Sequence, residues 1–153
     1  MIAILVDADA CPVKDETYVV ATRYGAPVAV VANAPMHVPA GIGAERVVVE
    51  SGPDAADDWI VANARPGDVV VTADIPLAAR CLAVGALVLG TNGREFSEDS
   101  IGGQLATRDL KASLREGGVA TGGPAAIGAK ERSRFSAKLD ELVQRGMRRR
   151  GSG

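Results

Sequence analysis

At 153 residues, with 47% hydrophobic residues arranged in short runs, the chain is long enough to bury the core of one domain without staples. No apolar run approaches the roughly 20 residues of a membrane helix, and a single histidine (His37) with two distant cysteines (Cys11, Cys81) argues against a His-containing triad, a zinc site or a disulfide framework. The net charge of −2 hides a split: residues 1–129 hold 9 basic and 16 acidic side chains, residues 130–153 hold 8 basic and 3 acidic. That is an acidic body with a basic tail, suited to a metal site plus a polyanion contact.

The first dozen residues organise the chain. Ile2 to Val6 is a continuous apolar run, the pattern of a strand buried on both faces of a parallel sheet. Asp7 and Asp9 follow, and Pro12 sits where a helix begins and no N–H donor is needed. In an extended chain, side chains at i and i+2 point the same way. Both carboxylates then face the space beyond the strand's carboxyl end, where open α/β sheets bind ligands. With no basic residue before Lys14 they repel each other unless a cation or a shared proton relieves them. Capping of the following helix is the competing explanation, and it accounts for one Asp better than for two.

Further along, the spacing predicts a helix from Pro12 to Tyr24 with Val13, Thr17, Val20 and Tyr24 on one face and Gly25 as its stop. Thr17, six residues after Cys11, rules out the Cys-x5-Arg phosphate loop of thiol phosphatases, so Cys11 is expected to be structural. A second strand, Val28 to Ala32, ends in Asn33, and a third is expected over Arg46 to Glu50. A helix over Asp54 to Ala64 carries Asp57 and Asp58 in its first turn, with Asp54 as N-cap. Pro66-Gly67 breaks it. Asp68 to Ala73 is a fourth strand, followed by Asp74 and a helix to Val84; Ala86 to Leu89 is a short fifth strand.

Alternating strands and helices with short links predict an α/β fold, a three-layer α/β/α sandwich around a mostly parallel sheet of about five strands. Gly90 to Gly93 is a turn. Ser97 caps a helix expected over Glu98 to Glu116, and a glycine-rich segment holds Thr121, Gly122, Gly123 and Pro124. A final amphipathic helix over Lys130 to Arg145 presents Phe135, Leu139, Leu142 and Val143. The expected organisation is one domain over 1–145 and a frayed basic tail over 146–153. An N-terminus that reaches Asp7 without a basic segment is not a signal peptide, so a cytoplasmic location is expected.

Three stretches place acids after an apolar strand: Asp7 and Asp9, the Asp57–Asp58 pair, and Asp74. If the strands beginning at Ile2 and Asp68 are neighbours, Asp7, Asp9 and Asp74 come within reach of one ion. Asp57 or Asp58, about 100° apart on their helix, joins from the side. Carboxylates without imidazole or thiolate suit Mg²⁺ or Mn²⁺. Such ions activate water and stabilise the leaving oxygen in phosphodiester hydrolysis. Asp7, Asp9, Asp58 and Asp74 are the candidate catalytic acids, and Asp57 joins them as a candidate ligand. Asn33 and Thr72 at strand ends, Arg108 and Lys111 on one helix face, and the Thr121, Gly122, Gly123 loop are candidate substrate contacts. With 3% aromatic residues, base stacking cannot be the main grip on a nucleic acid, so an RNA partner would be held mainly through its backbone.

The segments Asp7 to Pro12, Val31 to Asn33, Ala56 to Ile60, Val71 to Leu77, Arg108-Asp109 and Thr121 to Pro124 resemble the uncharacterised YaiI/YqxD family of bacterial proteins. The resemblance extends from Ile2 to about Leu142. That family is grouped with the PIN-like superfamily, largely metal-dependent ribonucleases. The resemblance implies a PIN-like α/β/α fold with an acidic site formed by Asp7, Asp57 or Asp58, and Asp74, with Asp9 beside them. Two further readings remain open. In a haloacid-dehalogenase-like phosphatase Asp7 is the nucleophile and Asp9 the general acid, with Thr72 as the second motif; the downstream lysine and late acidic pair of that superfamily are missing. The other is a non-catalytic nucleic-acid- or protein-binding module.

Overall fold

In the computed structural model, residues 2–8, 11–33, 43–49, 54–101 and 128–151 are described. In chain order the elements are β1 (Ile4–Asp7), α1 (Lys14–Tyr24), β2 (Val28–Ala32), β3 (Ala44–Val48), α2 (Ala55–Asn63), β4 (Val69–Val71), α3 (Ile75–Ala83), β5 (Leu87–Leu89), β6 (Glu95–Phe96) and α4 (Ala129–Gly151). The sheet order is β3-β2-β1-β4-β5-β6. The first five of these strands run parallel and β6 is antiparallel to β5. Among the described residues no helix is long and apolar enough to cross a membrane.

The layers follow from alternation along the strands. Ile4 and Val6 of β1 point to one side, where α1 and α4 bury Val13, Val20, Phe135, Leu139, Leu142 and Val143. Leu5 points to the other, where Ala56 and Ile60 of α2 and Leu77, Ala78 and Cys81 of α3 close a second core. Helices therefore cover both faces, which is why β1, β2, β4 and β5 read as unbroken apolar runs. The expected α/β/α architecture with a mostly parallel sheet is what is found.

The helix ends show how local chemistry and tertiary contact compete. Gly25 ends α1 in the left-handed conformation at φ 65°, a position that carries no steric cost for glycine. Ala26 N donates to Ala21 O at 2.9 Å to finish the turn. Across the first core layer, Asp140 of α4 accepts from Tyr24 Oη at 2.5 Å and pairs with Arg23, tying α4 to the end of α1.

Most element ends shift by a residue or two, and three differences from expectation have a physical reason. β3 begins two residues earlier than Arg46, because Val28 of β2 pairs with Ala44 and carries Glu45 and Arg46 into the ladder at the sheet edge. The short β6 was missed, its two residues giving no period to read. The helix expected to end at Arg145, before a frayed tail, instead runs to Gly151. Gly146 does not stop it. A Cβ there would lie 2.1 Å from Gly67 O, so this glycine is where α4 crosses the turn before β4. Ser97 caps as expected, its Oγ accepting from Ser100 N at 3.2 Å. Of the helix expected to follow, only 98–101 lie among the described residues.

Candidate functional site

The central strands decide what meets at the carboxyl edge. β1 and β4 are neighbours, with Val6 aligned to Val71. Asp7, the last residue of β1, therefore lies beside Thr72, the first residue past β4. The Thr72 hydroxyl is fully buried between two acids. It donates to Asp7 Oδ2 at 2.8 Å and accepts from Asp74 N at 3.0 Å. Asp74 in turn caps α3, its Oδ1 accepting from Leu77 N at 2.9 Å. On the far side, Thr72 N donates to Leu89 O at 3.1 Å, so β1, β4 and β5 are linked through this residue. Thr72 thus sets the spacing of Asp7 and Asp74.

α2 supplies the third acid. Burial of Ala56 and Ile60 against the sheet fixes its rotation. Asp57 then turns half-buried toward the edge, and Asp58 is exposed. Burial first, then the Asp74, Asp7 and Asp54 carboxylates, push the Asp57 carboxyl from 3.8 up to about 6, and Arg80 pulls it back in part. Asp58 Oδ1 instead pairs with Arg80 Nη2 at 2.9 Å. Between the two alternatives, Asp57 is the one that shares a field with Asp7 and Asp74. Asp54 occupies the N-cap position of α2 but makes no side-chain cap hydrogen bond.

The other candidates are placed as follows. Asn33 is exposed at the end of β2, one strand over from Asp7. Asp9, Arg108, Lys111, Thr121, Gly122 and Gly123 lie outside the described residues. Cys11 is buried, and burial raises its thiol, as expected of a structural cysteine; burial pushes Cys81 up to about 12. Two cations at the site carried no motif in the sequence. Lys14 Nζ donates to Ala8 O at 3.4 Å beside the end of β1, and Arg80 reaches across from α3. Only the packing of α3 against α2 reveals the latter.

Among the described residues, no three His, Cys, Asp or Glu side chains converge closely enough to hold an ion on their own. The donor chemistry still fits a hard divalent cation. Burial and the neighbouring carboxylates raise the proton affinity of Asp57, the donors at this edge are all oxygen, and Mg²⁺ keeps several of its waters when bound. The same field lets a half-buried carboxyl exchange a proton near neutral pH.

Comparison with known proteins places the chain in a family. The model of the uncharacterised YaiI/YqxD family matches residues 5–145. A UPF0178 protein of Rhodopseudomonas palustris strain BisB5 is 57% identical over 149 residues, covering 97% of this chain and 91% of the relative. The UPF0178 protein bll3966 of Bradyrhizobium diazoefficiens is 54% identical over 147 residues, covering 96% and 88%. A UPF0178 protein of Caulobacter sp. strain K31 is 51% identical over 148 residues, covering 97% and 98%. No solved structure matches. With nearly all of the strand-and-acid framework inside the matched span, the chain belongs to the YaiI/YqxD family.

Proposed function

We propose that the protein is a Mg²⁺- or Mn²⁺-dependent phosphodiesterase acting on RNA. One observation carries this reading. Acids from three elements, Asp7 after β1, Asp57 on α2 and Asp74 before α3, stand at one edge of the sheet, where Thr72 joins Asp7 to Asp74 and where burial first, then the Asp74 and Asp7 carboxylates, lift Asp57 to about 6. A Mg²⁺ or Mn²⁺ held by Asp7 and Asp74, with Asp57 beside them, would offset that crowding of negative charge and would supply Lewis-acid activation of a phosphate and of a water.

The chain's own part is positioning and proton transfer. Asp7 and Asp74 supply acceptor oxygens at a separation set by the Thr72 hydroxyl, and Asp9, two residues beyond Asp7, is the further ligand expected from the sequence. Asp57, its carboxyl lifted toward neutral pH, takes a proton from the attacking water or returns one to the leaving oxygen. Arg80 holds Asp58 outward and limits the charge around Asp57. Arg108, Lys111 and the Thr121 to Gly123 loop are proposed phosphate contacts.

The test is cleavage of a labelled single-stranded RNA with Mn²⁺ or Mg²⁺, stopped by EDTA. Asp7→Asn is expected to keep the fold by circular dichroism and to lower the rate about 100-fold or more, the scale of losing a charge-stabilising group. A folded Asp7→Asn protein with full activity would overturn the proposal. So would RNA that stays intact with both ions. A phosphoryl group trapped on Asp7 would point instead to the aspartyl-phosphatase chemistry.

A further inference from the structure

The edge of the sheet opposite the carboxylates is hollow. Beneath the C-terminal half of α2 lies a cleft of about 450 Å³, within the range of small-ligand sites at roughly 300–1,000 Å³. Its cause is side-chain volume. Ala3 of the chain leading into β1, Ala29 of β2 and Gly43 before β3 face α2 at this end, and they leave the layer unfilled. Trp59 of α2 forms one wall.

The polar groups around this hollow differ in what they have left to offer. Asp68 is 3% exposed and committed to the backbone, its Oδ1 accepting from Ala3 N and its Oδ2 from Arg65 N, each at 2.9 Å. Glu45 stands on the edge strand in phase with Val47, which packs into the core under α2, so its carboxylate is on the cleft side. Among the described residues that carboxylate has no hydrogen bond or ion pair. Arg65, whose amide donates to Asp68, lines the cleft with an exposed side chain that makes no hydrogen bond or ion pair among the described residues.

We propose that this cleft binds a guanine nucleotide, independently of the metal-dependent reading of the other edge. Each part matches one part of that ligand. The indole offers a flat apolar wall to a purine ring. A carboxylate is an acceptor only, with two oxygens side by side. Guanine presents two adjacent donors, N1–H and N2–H, on its Watson–Crick edge. Adenine sets an acceptor at N1, which a carboxylate repels. The Arg65 guanidinium fork at the mouth suits a phosphate.

Trp59 is the sole tryptophan of the chain, so its fluorescence reports occupancy directly. GMP titrated into the intact protein is expected to change that signal saturably, with guanosine binding about tenfold tighter than adenosine, the scale of one charged hydrogen bond. Glu45→Gln is expected to abolish the guanosine preference. Arg65→Ala is expected to weaken GMP to the level of guanosine while leaving guanosine unchanged. No saturable change with GMP up to about 10 mM, the weak end of specific binding, would overturn the proposal. So would an unchanged guanosine preference in Glu45→Gln. Inorganic phosphate alone, producing the same signal as GMP, would also overturn it by showing an anion site without a base pocket. Because neither variant touches Asp7, Asp57 or Asp74, RNA cleavage can persist or fail without affecting this outcome.

Discussion

Replacing Asp57 by Asn removes a charge that burial and the neighbouring acids disfavour, and the effect depends on pH in a direction the structure sets. The Asp57 carboxyl rises from 3.8 to about 6, first by burial and then by the Asp74 and Asp7 carboxylates. Roughly two units at about 1.36 kcal/mol each would be near 3 kcal/mol for an enclosed group. Asp57 is only half-buried, and screening by solvent reduces this to about 1 kcal/mol. A raised carboxyl favours the neutral form in the folded state. Stability is therefore full below the unfolded value near 3.8 and is lost as pH rises through about 6. Asn at this position never ionises and loses nothing. Urea or thermal denaturation in EDTA is expected to show Asp57→Asn more stable than the parent by about 1 kcal/mol at pH 8, roughly 2–4 °C in Tm for a chain of this size. At about pH 3, below both values, the two should coincide. Equal stabilisation at both pH values, or a less stable variant at pH 8, would show that Asp57 does not share a field with the other two acids.

Three further outcomes test the rest of the structure. Gly146→Ala is expected to lose about 2 kcal/mol by chemical denaturation, because a Cβ 2.1 Å from Gly67 O must displace backbone and so outweighs the helix-propensity gain of about 1 kcal/mol; a neutral result would mean that α4 does not cross there. Thr72→Val keeps the shape but removes the donor to Asp7 and the acceptor for Asp74 N, so it is expected to cost about 1–3 kcal/mol. The same variant should lower metal-dependent cleavage, and full retention of both stability and rate would refute the bridging role. Phe135→Ala, at a fully buried α4 position, is expected to cost about 3–5 kcal/mol in the same assay, and a loss below 1 kcal/mol would argue against α4 as part of the first core layer.

Much of the fold was legible because its signals are local. The apolar runs of β1, β2, β4 and β5 and the stop at Gly25 each follow from a few consecutive side chains. The two-residue β6 and the early start of β3 were not legible, since a pairing partner rather than an apolar period defines them. The end of α4 was not legible for a related reason. Helix-stop chemistry is a tendency of the isolated segment, and a close crossing with another part of the chain reverses its meaning.

The same division runs through the site. By itself the sequence determined that acids follow strands and that at most one of Asp57 and Asp58 can turn toward the others, because strand alternation and helix pitch are properties of consecutive residues. Only the tertiary structure decided that β1 and β4 are neighbours, that Thr72 spans Asp7 and Asp74, and that Asp57 faces inward while Arg80 holds Asp58 outward. It alone opened the cleft under α2. Those facts depend on strand order and on how Ala56 and Ile60 seat a helix, which are contacts between residues far apart along the chain.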